Sequence, residues 1–225
     1  MSTLLSDAQA KAAILEIGRR MDRRGMVAAN DGNISIRVKD GFWCTPTGVA
    51  KGYMTEDMLC KIDHDRRVLE GHLQPSSEIK MHLRVFDENP DLTAVVHAHP
   101  VASTSFAAAG LPLDDALLTE AVVSIGVVPL SSFALPGSDA LPDAIAPYVE
   151  GYSAVLLANH GVLTWGRDAF EAYYRMETVE HYAQILLNVR YGMRSDAALS
   201  GAQVSALLEI RKALGITTGG TPRTF

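Results

Sequence analysis

The stretch that most constrains this chain is Ala94-Val95-Val96-His97-Ala98-His99-Pro100, an apolar run that ends in two histidines one residue apart. Its paired valines favour extended backbone, and in a strand residues i and i+2 share a face, so His97 and His99 aim at one point. Two converging imidazoles can hold a zinc-class ion at about 2.0–2.1 Å each, but they leave its coordination incomplete. The metal reading therefore requires another histidine or a carboxylate elsewhere. The plainer reading is a strand end carrying two hydrogen-bonded histidines.

Composition limits the partners. The chain has 225 residues, 48% of them hydrophobic and 20% charged, which is enough to bury the core of one large domain or two small ones. A single domain over residues 1–225 is the expectation, with a loose tail from about residue 215, since no repeat, low-complexity block or linker interrupts the pattern. A formal net charge of −6 and the lack of a Lys/Arg-rich block argue against nucleic acid or an anionic membrane surface. A small molecule is the expected partner. No apolar run approaches the ~20 residues of a membrane span, and the start Met1-Ser2-Thr3-Leu4-Leu5 lacks the basic and apolar regions of a signal peptide. The expected location is the cytoplasm, where Cys44 and Cys60 remain free thiols.

The N-terminal half places polar loops beside strands. Ser6-Asp7-Ala8-Gln9 reads as a capping box opening a helix to about Arg24. The turn-forming Asn30-Asp31-Gly32-Asn33 precedes a strand with period-2 alternation, Ile34–Val38, and Asp40-Gly41 turns the chain into Phe42–Thr45. Thr45-Pro46-Thr47-Gly48 follows. Its hydroxyls and glycine N–H suit a phosphate or carboxylate, with Lys51 as a nearby cation; the bland reading is an ordinary Pro-Gly loop. Thr55–Met58 starts a short helix, and Lys61–Asp65 reads as a brief strand before Arg66-Arg67. Pro75-Ser76-Ser77-Glu78 then forms the first turn of a helix reaching about Phe86. Free N–H groups there attract anions, so Ser76 and Ser77 can bind phosphate while Glu78 faces a metal; the plain account is a capped helix start. His82, one turn on, reads as a packing or hydrogen-bonding residue.

In the C-terminal half, Pro100 opens a helix through Ala109 that Gly110 ends. Leu117–Val123 suits strand or helix equally, with Glu120 as its one charge. Val127–Leu130 reads as a strand, Ser138 as the cap of a helix to about Val149, and Ser153–Ala158 as a buried strand closing on Asn159-His160-Gly161. His160 supplies a third imidazole, beside a glycine that permits close backbone approach. Val162–Trp165 returns as a hairpin partner. A helix from about Asp168 to Arg190 carries Tyr173, Met176, Val179, Tyr182, Ala183 and Leu186 near one face, for packing or a subunit contact. Ser200 caps a last helix to about Leu214, and the tail beyond is either disordered or folded over a site.

Three histidines on strand ends with a carboxylate at a helix start make a metal site with an open position, which is a catalytic rather than a structural arrangement. The neighbouring anion donors suggest a phosphorylated substrate. A metal on a ketone oxygen stabilises an enediolate, so the supported chemistry is proton transfer or carbon–carbon cleavage beside a carbonyl, with Glu78 as acid/base.

In order and approximate spacing, Gly32-Asn33, Thr45-Pro46-Thr47-Gly48, Pro75-Ser76-Ser77-Glu78, His97-Ala98-His99 and Asn159-His160-Gly161 resemble the class II aldolase/adducin-head family. The resemblance covers about residues 6 to 214. It implies an α/β fold, a three-layer α/β/α sandwich around a largely antiparallel sheet, in a cyclic homotetramer with active sites between subunits. It also implies a Zn2+ ion, with Mn2+ or Co2+ as substitutes, held by His97, His99 and His160 and by Glu78 until substrate displaces it. Asn33, Thr47, Gly48, Ser76 and Ser77 match the phosphate-binding positions. The implied reaction is cleavage of a ketose 1-phosphate to dihydroxyacetone phosphate and an aldehyde. Decarboxylation of a 3-oxo sugar-acid phosphate, or 4-epimerisation of a pentulose phosphate, stands as the family alternative, and a non-catalytic scaffold as the alternative from another class. One departure stands out: the family's aldolases use a tyrosine from the adjacent subunit, and Leu118-Thr119-Glu120 occupies that stretch here, so Glu120 is the candidate replacement.

Overall fold

Strands whose side chains alternate between two apolar faces require cover on both sides, and this chain supplies it with helices. The structure, a computed structural model, describes residues 4–224; the residues Met1-Ser2-Thr3 read above lie outside that range. Among the described residues, eight strands form one sheet in the order β4-β3-β2-β1-β5-β8-β7-β6. They are β1 Asn33–Val38, β2 Gly41–Cys44, β3 Cys60–Ile62, β4 Val68–Glu70, β5 Ala94–Ala98, β6 Leu130–Ser131, β7 Ala154–Leu157 and β8 Gly161–Gly166. Every pairing is antiparallel except β6 with β7, so the sheet is mixed.

The helices are α1 Asp7–Arg23, α2 Ile79–Glu88, α3 Val101–Ala109, α4 Thr119–Ser124, α5 Ala140–Ile145, α6 Ala169–Leu187 and α7 Gly201–Ala213. Alternation along the central strands decides which helix covers which face. Ala94 and Val96 of β5 pack into one core with Ile14 and Ile17 of α1, Phe106 of α3 and Tyr173, Met176 and Val179 of α6. Val95, between them, packs into a second core with Met81, Val85 and Phe86 of α2 and Leu141 and Ile145 of α5. The stripe on α6 is thus core packing within the chain.

The expected capping box is present at Ser6–Gln9, and Ser200, expected as a cap, forms a second box with Gln203. Several boundaries differ from the sequence reading. Ser76, Ser77 and Glu78 precede α2 rather than forming its first turn, with the Ile79 N–H donating to the Ser76 carbonyl. Asp139, not Ser138, stands at the start of α5, which ends at Ile145 and continues as a 3-10 turn to Tyr148. The strand expected at 127–130 shrinks to Leu130–Ser131, because Val128 pairs back to Leu113 instead. The brief strand at 61–65 starts earlier, at Cys60, and its partner β4 lies after the Arg66 turn. α6 gives way at Asn188 to a π-turn through Gly192.

The tail is fastened rather than loose. Val127 donates to the Gly219 carbonyl (2.7 Å), Gly219 to that of Gly151 (2.9 Å) and Ala116 to that of Arg223 (2.8 Å). Arg211 ties it to the body, donating to the Gly220 carbonyl at 2.6 Å and to that of Val122. None of the described tail residues lines the cavity that holds the histidines.

Candidate active site

The site gathers where the ends of β1 and β5 meet the β7–β8 turn, at one end of the central strands. Asn33 opens β1 opposite His97 near the end of β5, and Ala98 faces Val162 on β8, one residue past the turn that carries His160. Two backbone features bring the imidazoles together. Asn159 adopts a left-handed conformation (φ 57°), which this residue type tolerates better than most and which turns His160 back over the sheet. Gly161 has no side chain because none fits: a Cβ there would lie 2.5 Å from His99 Cδ2 and 2.6 Å from the Ala98 carbonyl oxygen.

The three rings form a near-equilateral triangle with centroids 4.8–4.9 Å apart. His97 Nε2 lies 3.0 Å from His99 Nε2 and 3.3 Å from Glu78 Oε2, and His160 Nε2 lies 3.2 Å from Glu78 Oε1. A tetrahedron with bonds of about 2.0–2.1 Å has edges of about 3.3–3.4 Å, so these separations suit four ligands around a zinc-class ion. Orphaned atoms point the same way. Glu78 Oε1, despite its nearness to His160, makes no acceptable hydrogen bond among the described residues.

Protonation also favours ligation. His97 Nδ1–H donates to the Val162 carbonyl (2.8 Å) and His99 Nδ1–H to Asp31 Oδ2 (3.1 Å), which directs both Nε2 lone pairs inward. Complete burial, reinforced by the neighbouring His99 and His160, holds His97 well below the usual histidine range, and burial likewise lowers His160. Both rings are therefore neutral at pH 7, the form that binds a metal. Asn33 Nδ2 donates to Glu78 Oε2 at 2.8 Å and fixes the carboxylate's orientation.

A cavity of about 220 Å³ adjoins this cluster, lined by Asn33, Thr47, Gly48, Ser76 and Ser77 together with Glu78, His99 and His160. Its wall is knit by backbone bonds: Thr47 N–H donates to the Gln74 carbonyl (2.9 Å) and Ser76 N–H to that of Thr45 (3.2 Å). Gly48 (φ 74°) takes a left-handed turn there. All four metal candidates and all five phosphate candidates thus meet at one place.

Glu120 does not join them within this chain. It sits on α4, exposed, accepting from Thr119 Oγ1 at 2.8 Å, a hydrogen bond that lowers its pKa. His82 shares a hydrogen bond with Ser35 Oγ (2.7 Å), and burial pushes it down to about 3, so it is the neutral packing residue expected. Asp31 is the residue that sequence reasoning passed over. The signal was a carboxylate in the turn feeding the strand beside the His-x-His strand.

Residues 12–187 match the family described as Class II Aldolase and Adducin N-terminal domain. An L-fuculose phosphate aldolase of Methanococcus maripaludis is 34% identical over 163 residues, 72% of this chain and 87% of that protein. A 3-oxo-tetronate 4-phosphate decarboxylase of Pectobacterium atrosepticum is 30% identical over 207 residues, 88% of this chain and 94% of that protein. A solved structure of L-fuculose 1-phosphate aldolase superposes with a TM-score of 0.83 at 27% identity, covering 93% of this chain and 98% of its own. The chain belongs to the class II aldolase and adducin N-terminal family. Its enzymatic relatives place it among the carbon–carbon lyases.

Proposed function

We propose that this chain is a metal-dependent aldolase that cleaves a ketose 1-phosphate, of the L-fuculose 1-phosphate type, to dihydroxyacetone phosphate and an aldehyde. The observation that carries the reading is the convergence of three imidazoles and Glu78 beside a cavity walled by hydroxyl and amide donors. His97, His99, His160 and Glu78 would hold the ion, zinc first and manganese or cobalt as substitutes. When bound, it supplies a Lewis acid for the substrate's carbonyl oxygen.

The chain's own groups do the rest. Asn33, Thr47, Gly48, Ser76 and Ser77 grip the phosphate and so fix the carbon chain against Glu78. Cleavage removes a proton from the hydroxyl of the departing aldehyde carbon and breaks the bond to C3. Glu78 then delivers a proton to C3 of the dihydroxyacetone phosphate fragment, its Oε2 steadied by Asn33 and its Oε1 left for the transfer. Glu120 of an adjacent subunit is the proposed acid/base at the aldehyde oxygen, in a cyclic homotetramer of single-domain chains in the cytoplasm.

Decarboxylation of a 3-oxo sugar-acid phosphate is the second reading. It draws on the 30% identity to such an enzyme across 88% of the chain and on Leu118-Thr119-Glu120 in the stretch where the family resemblance leads to the expectation of a tyrosine. A panel of ketose 1-phosphates and 3-oxo-tetronate 4-phosphates separates the two: release of dihydroxyacetone phosphate supports the aldolase and release of carbon dioxide the decarboxylase. Glu120→Gln reduces turnover if that residue serves the aldehyde oxygen; unchanged turnover removes it from the mechanism.

A further inference from the structure

Among the described residues, two lysines are buried completely enough to demand compensation, and the fold treats them differently. Lys61, with a 3% exposed side chain, is surrounded by Asp7 (2.9 Å), Asp40 (2.9 Å) and Glu70 (3.5 Å), so its charge is neutralised within the fold. Lys51 is 1% exposed, yet no carboxylate of the described residues lies within 4.0 Å of its Nζ. Its ammonium donates to two backbone carbonyls only, Asn30 at 2.7 Å and Val49 at 2.6 Å. Two of its three N–H donors are thereby taken. With Asp31 as a counter-charge beyond ion-pair distance, a buried cation hydrogen-bonded only to carbonyls is costly unless a closer anion supplies the missing charge.

The place where an anion would sit is adjacent. Lys51 lines the cavity of Thr47, Gly48, Ser76 and Ser77, and among the described lining residues it is the single Lys or Arg. The other charged lining groups, Asp31 and Glu78, are carboxylates that repel a phosphate. The two carbonyls it binds come from the two loops that carry Asp31 and Asn33 on one side and Thr47 and Gly48 on the other, so one ammonium joins both walls. The fold gives up something for this placement. Gly18 stands inside α1, where glycine is a poorer helix former than alanine, and a Cβ there would meet the Lys51 carbonyl oxygen at 2.6 Å.

We propose that Lys51 is the cation of the anion cavity, which binds its two loops together and lends its remaining N–H and its charge to a phosphate dianion of the substrate. The inference rests on the phosphate-site reading of Proposed function. Burial of the ammonium pushes its pKa down to about 8, a shift that the Asp31 carboxylate opposes.

Calorimetric titration of the metal-loaded protein with inorganic phosphate tests this. Wild type binds phosphate, Ser77→Ala binds it more weakly, a folded Lys51→Met variant binds it about ten-fold or more weakly, and Lys51→Arg recovers most of the loss. In turnover, Lys51→Met raises KM for the phosphorylated substrate more than it lowers kcat. Phosphate affinity undiminished in a folded Lys51→Met variant overturns the inference while leaving the phosphate site intact. No phosphate binding by wild type overturns both. Should Lys51→Met not fold, the wild-type protein still decides: the Lys51 Nζ–H resonance shifts on phosphate addition if the proposal holds and stays unmoved if it does not.

Discussion

Asp31 and Gly161 act on the same ring from opposite sides. The Asp31 carboxylate holds the tautomer and tilt of His99, and the bare backbone of Gly161 leaves room for that ring to turn inward. Asp31→Asn is expected to lower metal affinity about ten- to a hundred-fold, as loss of such an orienting carboxylate does, read by competition with a chromogenic chelator. Gly161→Ala is expected to abolish stoichiometric metal binding, because the new Cβ would displace His99; full metal content in that variant contradicts the steric role. At this scale the sequence was informative where chemistry is written in residue type. His97 and His99 declared a shared direction through strand periodicity, and His160 and Glu78 answered the need for further ligands. Asp31 stayed hidden because Asn30-Asp31-Gly32-Asn33 is also what a tight turn requires, and its partner lies 68 residues away.

Helix α3 leaves the site immediately after His99 and Pro100, and the N–H groups of its first turn, which lack partners within the helix, must find acceptors. Glu180 on α6 supplies them, accepting from Ala102 N (3.0 Å), Ser103 N (2.9 Å) and Ser103 Oγ (2.7 Å). Glu180→Ala strands these buried donors and is expected to destabilise the fold by about 3 kcal/mol in urea unfolding, with Glu180→Gln losing less; equal stability would contradict the capping role. That contact was invisible in sequence because it joins two helices 77 residues apart at Ser103. Local signals succeeded where one physical cause dominates: the Ser6 capping box, the Ser200 cap, the Asp40-Gly41 hairpin and the buried strand β7. They failed where tertiary packing decides. Leu117–Val123 carries no decisive period, and packing of Val122 against Val204 settles α4 as helix. β4 was missed because all three of its residues are exposed at the sheet's edge, without the apolar face that announces a strand.

Across the whole molecule, the buried histidines couple stability to pH. Unfolded imidazoles take up protons near pH 6.5, whereas burial keeps His97 well below that and His82 near about 3. The unfolded chain therefore binds more protons below pH 6.5, so stability is fully present above that value and falls as pH drops through the window beneath it. Metal-free protein should melt at a distinctly lower temperature at pH 5 than at pH 7.5; an unchanged melting temperature would mean that these rings are protonated in the folded state. The fold class, its helices on both faces and the family were all legible from ordered motifs spread along the chain. The docked tail was not, since Gly215–Gly220 resembles any flexible end until Arg211, Gly126 and Gly151 receive it. The most direct measurement of the central claim follows dihydroxyacetone phosphate release from a panel of ketose 1-phosphates, with the protein chelated, its metal content verified, and then replenished with zinc. The account predicts release by the replenished protein, none after chelation and none from His97→Ala at either stage. Undiminished release by verifiably metal-free protein would contradict it.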